Sequence, residues 1–363
     1  LLANGDNTMS EVQIATKLNH EQIVNQILAN PQIRYYIVGE PGIGKSAILK
    51  EIGRRTGLPT AYIDCPNLDL GDVAMPVIDH EAKVTRYYPN ARFGLHTGKP
   101  VAIMLDEWPK AMTPVKNMTH PMFEIDNPRC GDMPVPEGSY IFLTGNLETD
   151  GVGDSMQAHT IQRITRLELA KPTAEEWIHN YAVLKDLCHV ALAWVDQHPQ
   201  CLASYTDEGQ DGNEFIFNPN VPQNAVCSPR TLEKVCTIID NRDKYDQESL
   251  LAAMQGTVGF SAAESLNAYI RHQDSLDRFE TIVANPLTAR VPEDEGAIAV
   301  MSFGMLEKVE QHTLPPVLQY LARVDLEWQA IFCSNLAKHK KKMKFAFECE
   351  AFAHWCAENQ DLL

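Results

Sequence analysis

At 363 residues the chain exceeds one average domain, and an apolar content of 44% is ample for buried cores. A net charge of −17 argues against broad nucleic-acid binding, which depends on Lys and Arg neutralising phosphates. No apolar run reaches the length of a membrane span, and the nine scattered cysteines lack any C-x-x-C pair, so packed thiols of a cytoplasmic protein are expected rather than a disulfide frame or zinc site.

Residues 1–18 read as an N-terminal tail in which the first methionine is Met9, and no signal-peptide pattern is expected there. Helices and strands then alternate from Glu21 to Glu168. Arg34–Val38 (RYYIV) is β-prone, GEPGIGKS follows at 39–46, and Ser46–Arg55 has helical spacing. Gly39, Gly44, Lys45 and Ser46 satisfy G-x-x-x-x-G-K-[ST], the P-loop pattern. Small residues let backbone N–H groups close on phosphates, and the helix N-terminus adds the positive end of its dipole. The candidate cradle for a nucleoside triphosphate is therefore Gly39, Glu40, Pro41, Gly42, Ile43, Gly44, Lys45, Ser46 and Ala47. Lys45 would reach the β- and γ-phosphates and Ser46 would hold Mg²⁺. A glycine-rich turn before a helix is the plainer alternative.

Pro59–Asp64, Val101–Leu105, Ser139–Thr144 and Ile164–Leu169 complete a predicted set of five parallel strands with helices on both faces, an α/β core spanning 19–170. Met75–Asp79 and Val84–Tyr88 flank a short polar turn and predict a β-hairpin insertion over about 72–90. VAIMLDE at 101–107 is an apolar strand ending in two carboxylates at the sheet edge where α/β proteins bind ligands. Asp106 would hold Mg²⁺ and Glu107 would orient or deprotonate an attacking water. IFLTGN at 141–146 ends in Asn146, placed to reach between a γ-phosphate and that water, although Gly-Asn is also ordinary turn chemistry. Arg163, with Arg166 as its competitor, could bring a guanidinium to phosphate oxygens that gain charge in the transition state.

After Ala170 the pattern is helical. Thr173 and Glu176 form a predicted capping box, with Trp177, Tyr181, Leu184, Cys188, Ala191 and Trp194 following at helical spacing. A long polar loop is expected over His198–Cys227, helices to about Ile270, a Pro-punctuated connector over Leu276–Glu295, and helices again from Ala297. Ser228 reads as an N-cap and Pro229 as the first helical residue, which would fix the direction of Arg230. The basic run Lys338–Lys344 reads as a solvated helix face or as a docking patch for an acidic partner.

The order of P-loop, strand with Asp-Glu, strand with Asn, then Arg resembles the AAA+ ATPases, and in detail their MoxR-like branch. The G-E-P-G-x-G-K-[ST] loop of that branch is matched at 39–46, and its Ser-Pro-Arg signature at Ser228–Arg230. Its D-E-x-N-R-A stretch is matched in part by DEWPKA at 106–111, where Pro109 and Lys110 replace Asn and Arg. Arg163 in QAHTIQRI (157–164) matches the Arg of its Asp-Arg-Phe segment, with Gln162 and Ile164 replacing the neighbours. The resemblance covers about Asn19–Ile270.

It implies an AAA+ core, an α-helical lid over 171–270 and, beyond it, a C-terminal helical extension over 271–363. It implies Mg²⁺-dependent ATP hydrolysis in a ring of subunits, a hexamer, with Arg163 facing the next subunit's nucleotide and Arg230 reaching from the lid. The implied work is remodelling or activating a client, often one with a von Willebrand factor A-like domain, and the hairpin is a feature the branch shares. A nucleotide-switched binding module with slow hydrolysis is the competing reading, and a nucleic-acid motor is disfavoured by the acidity.

Overall fold

The computed structural model describes residues 16–147, 156 and 158–362, so the tail through 15 and Gln157 of the 157–164 segment lie outside the described residues. The chain divides into two compact units after Ala170.

The first unit is built on six parallel strands: β1 (Lys17–Leu18), β2 (Tyr35–Val38), β3 (Thr60–Asp64), β6 (Ala102–Asp106), β9 (Tyr140–Gly145) and β10 (Thr165–Leu169). Two small antiparallel pairs stand apart from this sheet, β4 (Ala74–Asp79) with β5 (Val84–Pro89) and β7 (Arg129–Cys130) with β8 (Met133–Pro134). The order across the main sheet is β1-β10-β2-β9-β6-β3. Five of its strands fall where the apolar runs predicted them. The sixth, β1, corrects the expected count of five and takes two residues from the presumed tail. It pairs Lys17 with Glu168 and Leu18 with Leu169, and Lys17 also forms an ion pair with Glu168 at 3.6 Å. Two residues are too few to show the alternation by which a strand is read from sequence.

Helix α1 (His20–Ala29) begins at a capping box in which Asn19 and Gln22 exchange hydrogen bonds. Helix α2 (Ala47–Thr56) ends at Gly57, whose φ of 70° is the left-handed conformation that glycine adopts without strain. Ile23, Val24 and Ile27 of α1, with Ile48, Leu49 and Ile52 of α2, pack on Tyr35, Ile37, Ala102, Met104 and Phe142 of the sheet. Strands β4 and β5 pair as an antiparallel hairpin, preceded by a single helical turn at Leu70–Val73 that Asp69 caps.

The second unit is helical, with one core drawn from Ala174 through Cys356 that buries Trp177, Trp194, Phe303, Tyr320, Phe332 and Phe352. Helix Phe260–Ser275 runs across position 270, and the same core includes residues on both sides of it. The capping box at Thr173 forms as predicted, but the helix does not continue to Trp194. It passes through a wide turn at Ile178–Ala182 and stops at Asp186, whose φ is 53°, before a new helix over His189–Gln197. The connector after Leu276 contains a short helix, Phe279–Ala284.

Within the basic run Lys338, Lys340, Lys341 and Lys344 are exposed, so most of it is solvated. It forms the break between helices Leu326–Lys338 and Met343–Glu348, with His339 buried, Lys341 paired to Asp186, and Lys342 donating to the carbonyls of Leu306 and Glu307. A cation on the last carbonyls of a helix offsets the negative end of its dipole, which gives Lys342 a structural role.

Candidate active site

Strands β2, β9 and β6 are neighbours, so their C-terminal ends place Gly39–Ser46, Asn146 and Asp106–Glu107 side by side on one edge of the sheet. The P-loop leaves β2 at Gly39, where an added Cβ would stand 2.6 Å from Ile43 Cδ1 and 3.0 Å from the Leu169 carbonyl oxygen. Gly44, at φ 97°, turns the chain into α2 in a conformation closed to most side chains. Ser46 occupies the N-cap of α2, yet its side chain makes no capping hydrogen bond. That leaves the hydroxyl available to a cation, and it and the Asp106 carboxylate are oxygen groups of the kind that would take Mg²⁺.

Lys45 is nearly buried. Its ammonium donates to the Gly39 and Glu40 carbonyls at 2.6 and 3.0 Å and to Asn146 Oδ1 at 2.9 Å. The Asn146 amide nitrogen lies 3.4 Å from Glu107 Oε1, and Lys110 Nζ lies 2.7 Å from Glu107 Oε2. A polar chain thus runs from Lys45 through Asn146 and Glu107 to Lys110. Asp106 is held at both oxygens by hydroxyl donors, Oδ1 by Thr144 and Oδ2 by Tyr62 at 2.6 Å. The Thr144 hydroxyl also accepts from the Glu107 backbone N–H at 3.1 Å.

Glu107 has φ 49° and ψ 38°, the left-handed region that non-glycine residues rarely occupy. The turn after it is pinned by Trp108, whose buried ring donates to Thr119 Oγ1 at 2.9 Å and meets Phe123 edge-on. Thr144, Tyr62 and Lys110 were not singled out as site residues from sequence. Thr and Tyr are ordinary strand formers, and only the pairing of strands reveals what their hydroxyls reach.

Arg163 stands elsewhere. It precedes β10, whose first residue, Thr165, is in register with Tyr35, the first residue of β2. It is therefore on the edge of the sheet opposite the P-loop, separated by a strand length of roughly 13 Å. Its guanidinium lies 3.2–3.3 Å from the two ring nitrogens of His120, which itself packs against His159 and Phe123. Burial, and next the charge of Arg163, hold the His120 imidazole below its usual pKa. Arg166 is half-buried within β10. Arg230 belongs to the second unit and is exposed on the first turn of helix Pro229–Asp240, where Ser228 and Thr231 form the cap. A cavity of about 810 Å³ in the second unit, bordered by Phe279, Val283, Val309 and Lys342, contains none of the predicted site residues.

No family model matches the chain, and no curated protein matches it in sequence. Among solved structures it is similar to a candidate ATPase from Cytophaga hutchinsonii, at 12% identity and a TM-score of 0.34, over 70% of this chain and 90% of that one. It is also similar to the RuvB Holliday junction branch migration motor of Thermotoga maritima, at 15% identity and a TM-score of 0.36, over 84% of this chain and 86% of that one. At these scores the AAA+ resemblance stands on the motifs and on where the sheet places them.

Proposed function

We infer that the chain is a MoxR-like AAA+ ATPase that hydrolyses ATP and uses the cycle to remodel or activate a partner protein. The observation that carries this is the meeting of Lys45, Asn146 and Glu107 on one sheet edge beside Asp106. The P-loop amides and Lys45 bind and orient the triphosphate, and Asn146 positions the attacking water that Glu107 activates. Ser46 and Asp106 would hold Mg²⁺, which would neutralise charge on the phosphates. Arg163 lies too far from its own P-loop to assist there, which supports a ring in which it serves the neighbouring subunit. We take that ring as a hexamer from the MoxR-like resemblance, and Arg230 as the lid residue that responds to the γ-phosphate.

The client, in this reading, carries a von Willebrand factor A-like domain and meets the hairpin β4–β5. Met75, Val77, Ile78, Val84, Tyr87 and Tyr88 of that hairpin are all exposed, an apolar concentration that suits a binding surface. The nine cysteines are free thiols, as a reducing cytoplasm would keep them, and among the described residues no helix is long and apolar enough to cross a membrane.

The deciding experiment pairs two variants. Glu107→Gln should bind ATP and lose most turnover, whereas Lys45→Ala should lose binding itself. Equal turnover in wild type and Glu107→Gln would remove Glu107 from the chemistry.

A further inference from the structure

We propose that Lys110 is a positioning residue for Glu107, turning one carboxylate oxygen toward Asn146 by holding the other. This rests on the reading of Glu107 as the group that activates water. Lys110 Nζ takes Oε2 at 2.7 Å, which leaves Oε1 facing the Asn146 amide at 3.4 Å, on the side where Lys45 also reaches. Both side chains are about two-thirds or more buried, at 26% and 34% exposure, so the pair is less screened than a typical surface bridge.

The turn that delivers the lysine is rigid for identifiable reasons. Lys110 N–H donates to the Glu107 carbonyl at 2.9 Å and Ala111 N–H to the Trp108 carbonyl at 3.1 Å, closing a short 3₁₀ turn. Trp108 and Pro109 within it are buried, and the Trp108 indole is fixed by Thr119. Proline restricts the backbone at the middle of the turn, so the residue three places after Glu107 folds back over it. At this position the sequence departs from the Asn and Arg of the resembling motif, and the replacement still presents a cation to the carboxylate.

A general base works only within hydrogen-bond reach and in line with its proton, and a displacement of about 1 Å can lower a rate roughly 10²-fold. Lys110→Met keeps the length of the side chain and removes its charge. It should lower kcat by about ten- to a hundredfold with KM unchanged, and the affinity for a fluorescent ATP analogue and the Tm of the nucleotide-free protein should stay at wild-type values. Lys110→Arg, which can still reach the carboxylate, should restore most of the rate. An unchanged or raised kcat in Lys110→Met overturns the proposal, as does a loss of affinity or Tm, which would make Lys110 a support of the turn. Failure of Lys110→Arg to restore the rate overturns it as well. A wild-type chain that binds ATP and never hydrolyses it overturns the ATPase reading, and this proposal with it.

Discussion

Lys45 and Asn146, 101 positions apart in sequence, are joined by a 2.9 Å hydrogen bond from the ammonium to the amide oxygen. The bond exists because β9 inserts between β2 and β6, bringing a residue from the end of one strand against the loop that leaves its neighbour. It also fixes the Asn146 amide with its nitrogen toward Glu107. One side chain therefore touches both Lys45, the proposed phosphate ligand, and Glu107, the proposed base.

Asn146→Ala should lower kcat by about 10²-fold, the usual effect of deleting one preorganised polar group from a reacting centre. Nucleotide affinity should change little, since Lys45 keeps its two carbonyl partners in the P-loop. Steady-state kinetics beside equilibrium ATP binding checks this. A wild-type kcat would return Asn146 to simple turn chemistry.

Arg163→Ala subunits should turn over about 10³–10⁵-fold more slowly if the arginine serves a neighbouring site. Mixing them with Lys45→Ala subunits should recover part of the activity, because some interfaces then join an intact P-loop to an intact arginine. Full turnover by Arg163→Ala alone would exclude the arrangement.

Gly145 shows why the strand before Asn146 ends as it does. A Cβ there would lie 2.2 Å from the Tyr36 hydroxyl oxygen and 2.9 Å from two ring carbons. Tyr36 is nearly buried on the adjoining strand, so the ring has little room to swing away. Gly145→Ala should cost about 1–3 kcal/mol of stability in denaturant unfolding and should also reduce turnover by displacing Asn146. Unaltered stability and activity would show that the two strands separate easily.

Glu51 on α2 accepts hydrogen bonds from Arg54 at 2.6 and 2.8 Å and from Arg55 at 2.6 Å. The Arg54 bonds foremost, against a smaller opposing effect of burial and with help from Arg55, lower its pKa from 4.5 to about 2. The folded value lies below the unfolded one, so the stabilisation is fully present above about pH 4.5 and is lost as pH falls toward 2. With both arginines exposed, solvent screens most of this contribution. Wild type should therefore exceed Glu51→Gln in Tm near neutral pH, and the two should converge near pH 2. A pH-independent gap would mean that Glu51 acts through packing.

Much of the candidate site's edge was legible because each motif follows a short, mostly apolar strand. Arg34–Val38, Val101–Leu105 and Ser139–Thr144 each announce a buried strand, and the chemistry-bearing residue follows directly. What could not be read was lateral. Nothing along the chain says that Tyr62 and Thr144 share the two oxygens of Asp106, since that depends on β3 and β9 both flanking β6. The second unit was less legible for a different reason. Its helix after Thr173 keeps apolar spacing straight through Asp186, so the periodicity continues where the backbone does not. The break depends on Lys341 and His339, more than 150 positions away, closing on the Asp186 carboxylate.

The left-handed backbone at Glu107 sets the chain's chemistry against its own folding. A side chain bearing a Cβ at φ 49° is held at a cost that glycine does not incur, typically about 1–2 kcal/mol. In most of a protein, exchanging alanine for glycine loosens the fold; here the order should invert, with Glu107→Gly unfolding at a higher temperature than Glu107→Ala while neither turns over nucleotide. On the reading of Glu107 as the group that activates water, the reaction keeps a carboxylate where the backbone alone would favour glycine.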